Sequence, residues 1–109
     1  MASFCKNDSK PVINGDILLG QIKRLSEEGL DGSGGRTRLA ASKDEKKGRD
    51  LVVGWMKELG LDVRVDKIGN IFGILPGVSG NLDNALMMGS HIDTVINAGP
   101  YDGCYGVLS

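Results

Sequence analysis

The sequence has 109 residues, and its 13 Lys and Arg against 14 Asp and Glu give a formal net charge of −1 at pH 7. A chain of this length forms one domain at most, and its balanced charge excludes the field that attracts proteins to nucleic acid or to anionic membranes. Because the sequence contains neither a membrane-length apolar stretch nor the hydrophobic region of a signal peptide, we expect a cytoplasmic protein.

The first part of the chain contains one predicted helix and one glycine-rich loop. Residues 1–12 are polar and are predicted to form a flexible tail. A helix is predicted to follow, because Asn14 can cap it, Gly29 can end it, and apolar residues recur between them at helical spacing, namely Leu18, Ile22 and Leu25. The loop DGSGGRTRLAAS contains Arg36 and Arg38, and two interpretations stay open: they bind an anionic group of a substrate, or they are solvated charges.

A second helix and a β-hairpin are predicted next. Ser42 and Glu45 have the spacing of a capping box, in which two residues cap each other's backbone amides at a helix start. The helix is predicted to end at Gly60 and to bury an apolar stripe, which consists of Val52, Trp55, Met56 and Leu59. The strings DVRVD and IFGIL have strand patterns, and KIGN between them predicts the turn of a hairpin.

The string ALMMGSHID, residues 85–93, is predicted to form a central strand. It has the length of a strand and is apolar on both faces, which is typical of a strand covered by helices. The predicted elements together indicate an α/β fold, a three-layer sheet with helices on both faces. Open α/β sheets place their sites at the carboxyl ends of strands, so the polar residues that end this string are candidates for function.

Three side chains near that strand end suggest a metal site. His91 is the only histidine of the chain, and neutral imidazole binds zinc, cobalt, nickel and manganese. Asp93 lies two residues on, where it shares the strand face of His91 and can orient the imidazole. Asp102 precedes Gly103 and can turn back toward His91 as a bridging ligand. Plainer interpretations stay open as well. His91 can be a hydrogen-bonded structural histidine, and Asp102 can belong to an Asp-Gly turn. Cys104 can pack at a helix start rather than bind a metal.

The whole string GSHIDTVINAGPYDGCYGVLS, residues 89–109, resembles the first metal-binding segment of the binuclear amidohydrolases. This family comprises N-carbamoyl-L-amino-acid hydrolase, allantoate amidohydrolase and β-ureidopropionase, within the aminoacylase and carboxypeptidase superfamily. The upstream strings GGRTRLAAS and RDLVVGWMKELGLDVRVDKIGNIFG are similar to the amino-terminal segment of the same family. The resemblance covers residues 13–109 and implies the amino-terminal portion of a zinc-peptidase-like catalytic domain, which is incomplete.

The resemblance also implies the roles of the site residues. His91 would bind one of two divalent metal ions (Zn, Mn, Co or Ni), Asp102 would bridge both, and Asp93 would be the catalytic carboxylate that tunes the site. The implied reaction is hydrolysis of a carbon–nitrogen bond in a linear amide by a metal-activated water. We expect N-carbamoyl-L-amino acids as substrates, with allantoate and β-ureidopropionate as alternatives.

The family pattern includes parts that this sequence lacks. They are a downstream glutamate pair with the general base, further histidine ligands, and an inserted domain through which the complete enzyme would form a homodimer. We therefore expect a fragment, roughly the first quarter of such an enzyme, that is inactive by itself. A second hypothesis is a non-catalytic fragment that acts only by association. A third, a small dimeric binding module unrelated to hydrolases, requires the long motif match to be chance.

Overall fold

The computed structural model describes residues 10–109, which contain three helices and one hairpin. Most of the predicted flexible tail, residues 1–9, lies outside the described residues. The chain divides into two compact units, one of residues 51–88 and the other of residues 10–50 and 89–109 within the described range. None of the helices in the described range is long and apolar enough to cross a membrane.

The first predicted helix is confirmed as α1, Gly15–Ser26. The Asn14 side chain caps it, because its Oδ1 accepts a hydrogen bond from the Ile17 N–H at 3.2 Å. Ile22 and Leu25 are buried, as the helical spacing predicts, and α1 packs against the last helix of the chain. Gly29 follows with a φ of 84°, and a β-carbon there would lie 2.8 Å from the Thr37 carbonyl oxygen. Glycine is therefore required where the chain leaves α1.

The second predicted helix is confirmed as α2, Lys43–Glu58. Half of the predicted capping box forms: the Ser42 Oγ accepts from the Glu45 N–H at 3.1 Å, while the Ser42 N–H donates to the Leu39 carbonyl. Along the predicted apolar stripe Val52 is buried, but Leu59 at the helix end is 70% exposed. The stripe is therefore core only in its first part.

The predicted hairpin is confirmed as β1, Asp62–Val65, paired antiparallel with β2, Ile71–Ile74. The Asp66 carboxylate forms the turn, accepting from the Ile68 N–H at 3.0 Å and the Asn70 N–H at 2.9 Å. The side-chain amide of Asn70 also donates to Asp66, and this hydrogen bond is the main reason that the pKa of Asp66 lies below its ordinary value.

The strand predicted over residues 85–93 is absent from the described residues. A strand requires a hydrogen-bonded neighbour, and the sheet of the described residues contains β1 and β2 alone. Leu86, Met87 and Met88 are instead 86%, 78% and 84% exposed. The predicted combination of helices and a sheet is thus confirmed, whereas its three-layer arrangement stays a prediction. The last helix, α3, is Cys104–Leu108.

Candidate metal site

The imidazole of His91 is exposed and is oriented by Asp93. Its Nδ1 lies 3.0 Å from the Asp93 main-chain oxygen and 3.1 Å from the Asp93 Oδ1. Both neighbours are hydrogen-bond acceptors, so a neutral ring places its proton on Nδ1 and its lone pair on Nε2. This is the arrangement in which a histidine presents Nε2 to a metal ion while an outer carboxylate fixes the ring.

The backbone next to Asp102 contacts the same imidazole. A β-carbon at Gly103 would lie 2.5 Å from the His91 Nδ1 and 2.5 Å from the His91 carbonyl oxygen, and Gly103 has a φ of 62°. Only glycine fits both the contact and the backbone conformation. Asp102 precedes Gly103 and is half-buried. The structure therefore brings the chain at Asp102 beside His91, but the imidazole bonds to Asp93, and the approach of the Asp102 carboxylate to His91 stays a prediction.

The side chains fit a divalent ion in kind but form an incomplete set. Imidazole nitrogen and carboxylate oxygen together suit several divalent ions, and the His91 side chain is half-exposed. Within residues 10–109, however, no three His, Cys, Asp or Glu side chains are grouped closely enough to hold a metal ion. His91 and Asp102 as metal ligands, and Asp93 as the catalytic carboxylate, therefore stay predictions.

Arg38 is placed differently from both interpretations of the sequence. Its residue is only 2% exposed, and its guanidinium donates to the main-chain carbonyls of Leu25, Glu28 and Ile92 at 3.0, 2.7 and 2.7 Å. Burial lowers the pKa of Arg38 from the ordinary arginine value, but an arginine side chain stays protonated in proteins at neutral pH. Because the residue is buried and two of its nitrogens are bonded to main-chain carbonyls, the guanidinium is neither a solvated charge nor accessible to a substrate anion. No residue pattern in the sequence indicates this burial, because the partners of Arg38 are main-chain carbonyls and the LAA residues that follow it are exposed.

The backbone around Arg38 is joined to the segment that carries His91. The Arg38 N–H donates to the Thr94 Oγ1, and the Thr94 N–H donates to the Arg38 carbonyl, both at 2.8 Å. Arg36 and Ala98 exchange a second pair of main-chain hydrogen bonds, at 2.9 and 2.8 Å. The side chain of Arg36 donates to the Gly34 carbonyl within the loop. The predicted structureless loop is therefore anchored along residues 36–38.

Cys104 packs at a helix start, as the plainer interpretation predicts. It is the first residue of α3, it is buried, and its thiol donates to the Pro100 carbonyl at 2.9 Å. Burial raises the pKa of the Cys104 thiol, which keeps it protonated at neutral pH and makes it a poor metal ligand.

Comparison with known proteins agrees with the sequence resemblance. No family model matches the chain. It is 44% identical over 88 residues to an allantoate amidohydrolase of Bacillus subtilis, covering 81% of this chain and 21% of that protein. It is 39% identical over 98 residues to an N-carbamoyl-L-amino acid amidohydrolase of Geobacillus stearothermophilus, covering 90% of this chain and 24% of that protein.

Comparison with solved structures gives the same family. A crystal structure of a hydantoinase/carbamoylase family amidase from Burkholderia ambifaria matches with a TM-score of 0.82 and 37% identity, over 88% of this chain and 23% of that one. The chain thus spans between a fifth and a quarter of the length of these relatives. The predicted kinship with the carbamoylase and allantoate amidohydrolases is confirmed over that part.

Proposed function

We propose that residues 13–109 are part of the catalytic domain of a metal-dependent amidohydrolase. The enzyme would hydrolyse carbon–nitrogen bonds in linear amides, with N-carbamoyl-L-amino acids as its substrates. One molecule of water would then convert each substrate into the amino acid, carbon dioxide and ammonia. The relatives named above support the class of reaction. The observation that carries the proposal is the His91 imidazole, whose Nδ1 is bound to Asp93 so that Nε2 is available to a metal ion.

His91 and Asp102 would hold the metal ions in this proposal. A bound divalent ion makes water nucleophilic near neutral pH and polarises the carbonyl group to be attacked. Asp93 holds the Nδ1 proton of His91, which fixes the ring and strengthens Nε2 as a donor. Gly103 lies against the ring, so that no side chain at that position displaces the imidazole.

The three-layer sheet belongs to the same proposal. The exposed side chains of Leu86, Met87 and Met88 immediately precede the His91 segment. We propose that residues 85–93 become a central strand when further strands pair with them and helices cover their apolar faces. His91 would then project from the carboxyl end of that strand.

We expect the 109-residue chain to be inactive by itself. Its described residues provide no cluster of three metal-binding side chains, and a catalytic metal ion commonly has three protein ligands. Addition of zinc, manganese, cobalt or nickel should therefore release no ammonia from N-carbamoyl-L-methionine above the rate of the metal alone.

Allantoate is the second candidate substrate. The 44% identity to the Bacillus subtilis allantoate amidohydrolase exceeds the 39% identity to the Geobacillus stearothermophilus carbamoylase. The match to the allantoate amidohydrolase covers 88 residues and the match to the carbamoylase covers 98. The higher identity is thus found over the shorter match, and the two comparisons together do not decide between the substrates.

A chimera tests both candidates. Residues 13–109 would replace the matching segment of each of these two relatives, and ammonia release would be measured with the substrate of each host. We expect activity in at least the carbamoylase host, and a loss of about 100-fold or more in the His91→Ala and Asp102→Asn chimeras. Asp83→Asn, which changes an exposed aspartate of the same chain, is the matched control and should retain activity.

The outcomes separate the hypotheses. Activity in the allantoate host alone would favour allantoate over carbamoyl amino acids. Folded chimeras that are inactive in both hosts would favour a non-catalytic fragment. A His91→Ala chimera as active as its parent would contradict the proposed function.

A further inference from the structure

Arg38 is a buried cation whose hydrogen-bond partners are main-chain carbonyls. Its Nη1 donates to Leu25 at 3.0 Å and to Glu28 at 2.7 Å, and its Nε donates to Ile92 at 2.7 Å. No carboxylate within the described residues forms an ion pair with it. A buried charge is costly unless it is well hydrogen-bonded, so these three contacts hold the guanidinium in one place.

One end of this contact set is the carboxyl terminus of α1. The last carbonyls of a helix lack partners within the helix and carry the negative end of its dipole. The Leu25 carbonyl belongs to the last turn of α1, where it also accepts from the Glu28 N–H at 3.2 Å, and the Glu28 carbonyl lies two residues beyond the helix end. Arg38 is therefore fixed to a rigid element. Its aliphatic stem also lies against α2, where a β-carbon at Gly48 would be 3.1 Å from the Arg38 Cδ.

The other end is the peptide between the candidate metal ligand and its carboxylate. The Nε–H of Arg38 donates to the carbonyl of Ile92, whose neighbours are His91 and Asp93. Two residues further on, Thr94 and Arg38 exchange the backbone contacts described above, and the Thr94 Oγ1 also donates to the Arg36 carbonyl at 3.2 Å. The backbone of residues 92–94 is thus held at the Ile92 carbonyl and at Thr94.

We propose that Arg38 is a positioning residue that sets the relative orientation of His91 and Asp93. Fixing the Ile92 carbonyl restricts the backbone on both sides of it, and the Nδ1 contact with Asp93 depends on that backbone. Arg38 thereby selects the imidazole tautomer that leaves Nε2 free. This consequence for metal binding rests on the proposed function, whereas the effect on the tautomer does not.

Lysine cannot replace Arg38 in this role. The guanidinium donates from two nitrogens, Nε and Nη1, in fixed and different directions. The ammonium of a lysine carries its donors on one nitrogen. That nitrogen can donate to the carbonyls of Leu25 and Glu28 or to the carbonyl of Ile92, but it cannot reach both groups at once. Arg38→Lys retains the charge and most of the volume, so it tests the geometry of the guanidinium.

The test uses the single histidine of the chain as its own probe. Imidazole ¹⁵N chemical shifts of the 109-residue chain, recorded at pH 9 where imidazole is neutral, report the fraction of each tautomer of His91. We expect the wild type to be almost entirely protonated at Nδ1. Arg38→Lys should raise the Nε2-protonated form at least several-fold. In Arg38→Ala, millimolar methylguanidinium should restore the wild-type spectrum.

The matched control is Ile22→Ala, which removes a buried side chain of α1 that forms none of the Arg38 hydrogen bonds. It lowers stability without touching the hydrogen bonds of the guanidinium, so the folded protein should keep the wild-type tautomer. The proposal is overturned if Arg38→Lys keeps the wild-type tautomer, or if Ile22→Ala shifts it equally.

A measurement on the wild type covers the case in which the Arg38 variants do not fold. The Nε proton of Arg38 should exchange slowly with solvent and show a scalar coupling across the hydrogen bond to the Ile92 carbonyl carbon. Rapid exchange with no coupling would overturn the proposal.

A zinc titration of the same spectra separates this proposal from the function. We expect Zn²⁺ to shift Nε2 of His91 in the wild type, with affinity about 10-fold weaker in Arg38→Lys. If Zn²⁺ leaves His91 unperturbed in the wild type, metal ligation by His91 loses its support. The tautomer comparison still decides the role of Arg38.

Discussion

In two regions of the molecule, the extent to which the chain is anchored is the opposite of what the composition suggests. The anchored loop, residues 31–38, contains three glycines and many polar residues, yet Arg36 and Arg38 are joined to Ala98 and Thr94 by pairs of hydrogen bonds. The exposed segment, residues 75–88, ends in the apolar string ALMM, yet all of its residues are exposed and its main-chain hydrogen bonds span three residues.

The difference shows what orders each region. Burying apolar side chains stabilises a segment only if the fold supplies a surface to cover them. The exposed segment has strand-forming residues without a pairing strand in the described residues. The anchored loop has little apolar surface, but distant main-chain carbonyls and the Thr94 hydroxyl accept hydrogen bonds from the backbone of Arg36 and Arg38 and from the Arg38 guanidinium. Substitutions in the anchored region should therefore cost far more than substitutions of similar size in the exposed segment.

The largest expected effect is that of Gly103→Ala. The added β-carbon would lie 2.5 Å from the His91 Nδ1 and carbonyl oxygen, at a φ of 62° that alanine resists. We expect a loss of about 3 kcal/mol in the free energy of unfolding, measured by urea denaturation. Gly77→Ala in the exposed segment is the matched control, because a β-carbon there meets no atom within 4 Å. Equal losses in the two variants would contradict the comparison.

Thr94→Val comes next. The substitution keeps the shape of the side chain, but it removes the hydroxyl that accepts the buried Arg38 N–H at 2.8 Å. An unsatisfied buried donor should lower the free energy of unfolding by about 2 kcal/mol. Thr94→Ser keeps the hydroxyl and loses only a methyl group, about 1 kcal/mol. If Thr94→Ser proved as destabilising as Thr94→Val, the hydroxyl would not be the anchor.

The elements that the sequence predicts correctly depend on neighbours within a few residues. The Asn14 cap of α1, the Ser42 cap of α2 and the Asp66 turn all join residues separated by two to four positions. The contact of His91 with Asp93 is equally local. Such contacts follow from residue types and spacing alone.

Contacts between distant residues could not be read from the same patterns. The bonds of Arg38 reach carbonyls 13 and 54 positions away, and main-chain carbonyls leave no residue-type signal. The strand predicted over residues 85–93 does not form in the described residues, for a related reason. Its apolar pattern indicates which side chains the strand would bury, but not which strand would pair with it. The metal roles of His91 and Asp102 stay predictions, since no group of three metal-binding side chains is found among the described residues.

The exposed segment can be tested by making it polar. Replacing Leu86, Met87 and Met88 together by serine should change the free energy of unfolding by less than about 0.5 kcal/mol, because these side chains are already exposed. Self-association should decrease, since the apolar patch that promotes it is removed. Sedimentation velocity at several concentrations measures the association, with Val78→Ser as a control elsewhere in the segment. A monomeric wild type would contradict this expectation.

The smallest expected effect is a pH dependence that distinguishes the two regions. In the anchored loop, the Asp31 Oδ1 accepts from the Ser33 hydroxyl at 2.6 Å and the Ser33 N–H at 2.9 Å. These bonds lower the pKa of Asp31 below its ordinary 3.8. Because the folded pKa is the lower one, the stabilisation is complete above pH 3.8 and is lost as the pH falls through the folded pKa.

Asp66 in the hairpin turn also has a lowered pKa, so acid should weaken both turns. The difference lies in what each carboxylate supports. Asp31→Asn should make the free energy of unfolding less dependent on pH in the acidic range. It should also speed amide hydrogen exchange at Arg36 and Ala98, because the loop that carries their hydrogen bonds is loosened. Asp66→Asn should likewise make the free energy of unfolding less dependent on pH in the acidic range, but it should speed amide hydrogen exchange only within β1 and β2. Exchange that spreads equally from both variants would mean that the anchored loop is no more coupled to distant backbone than a hairpin turn.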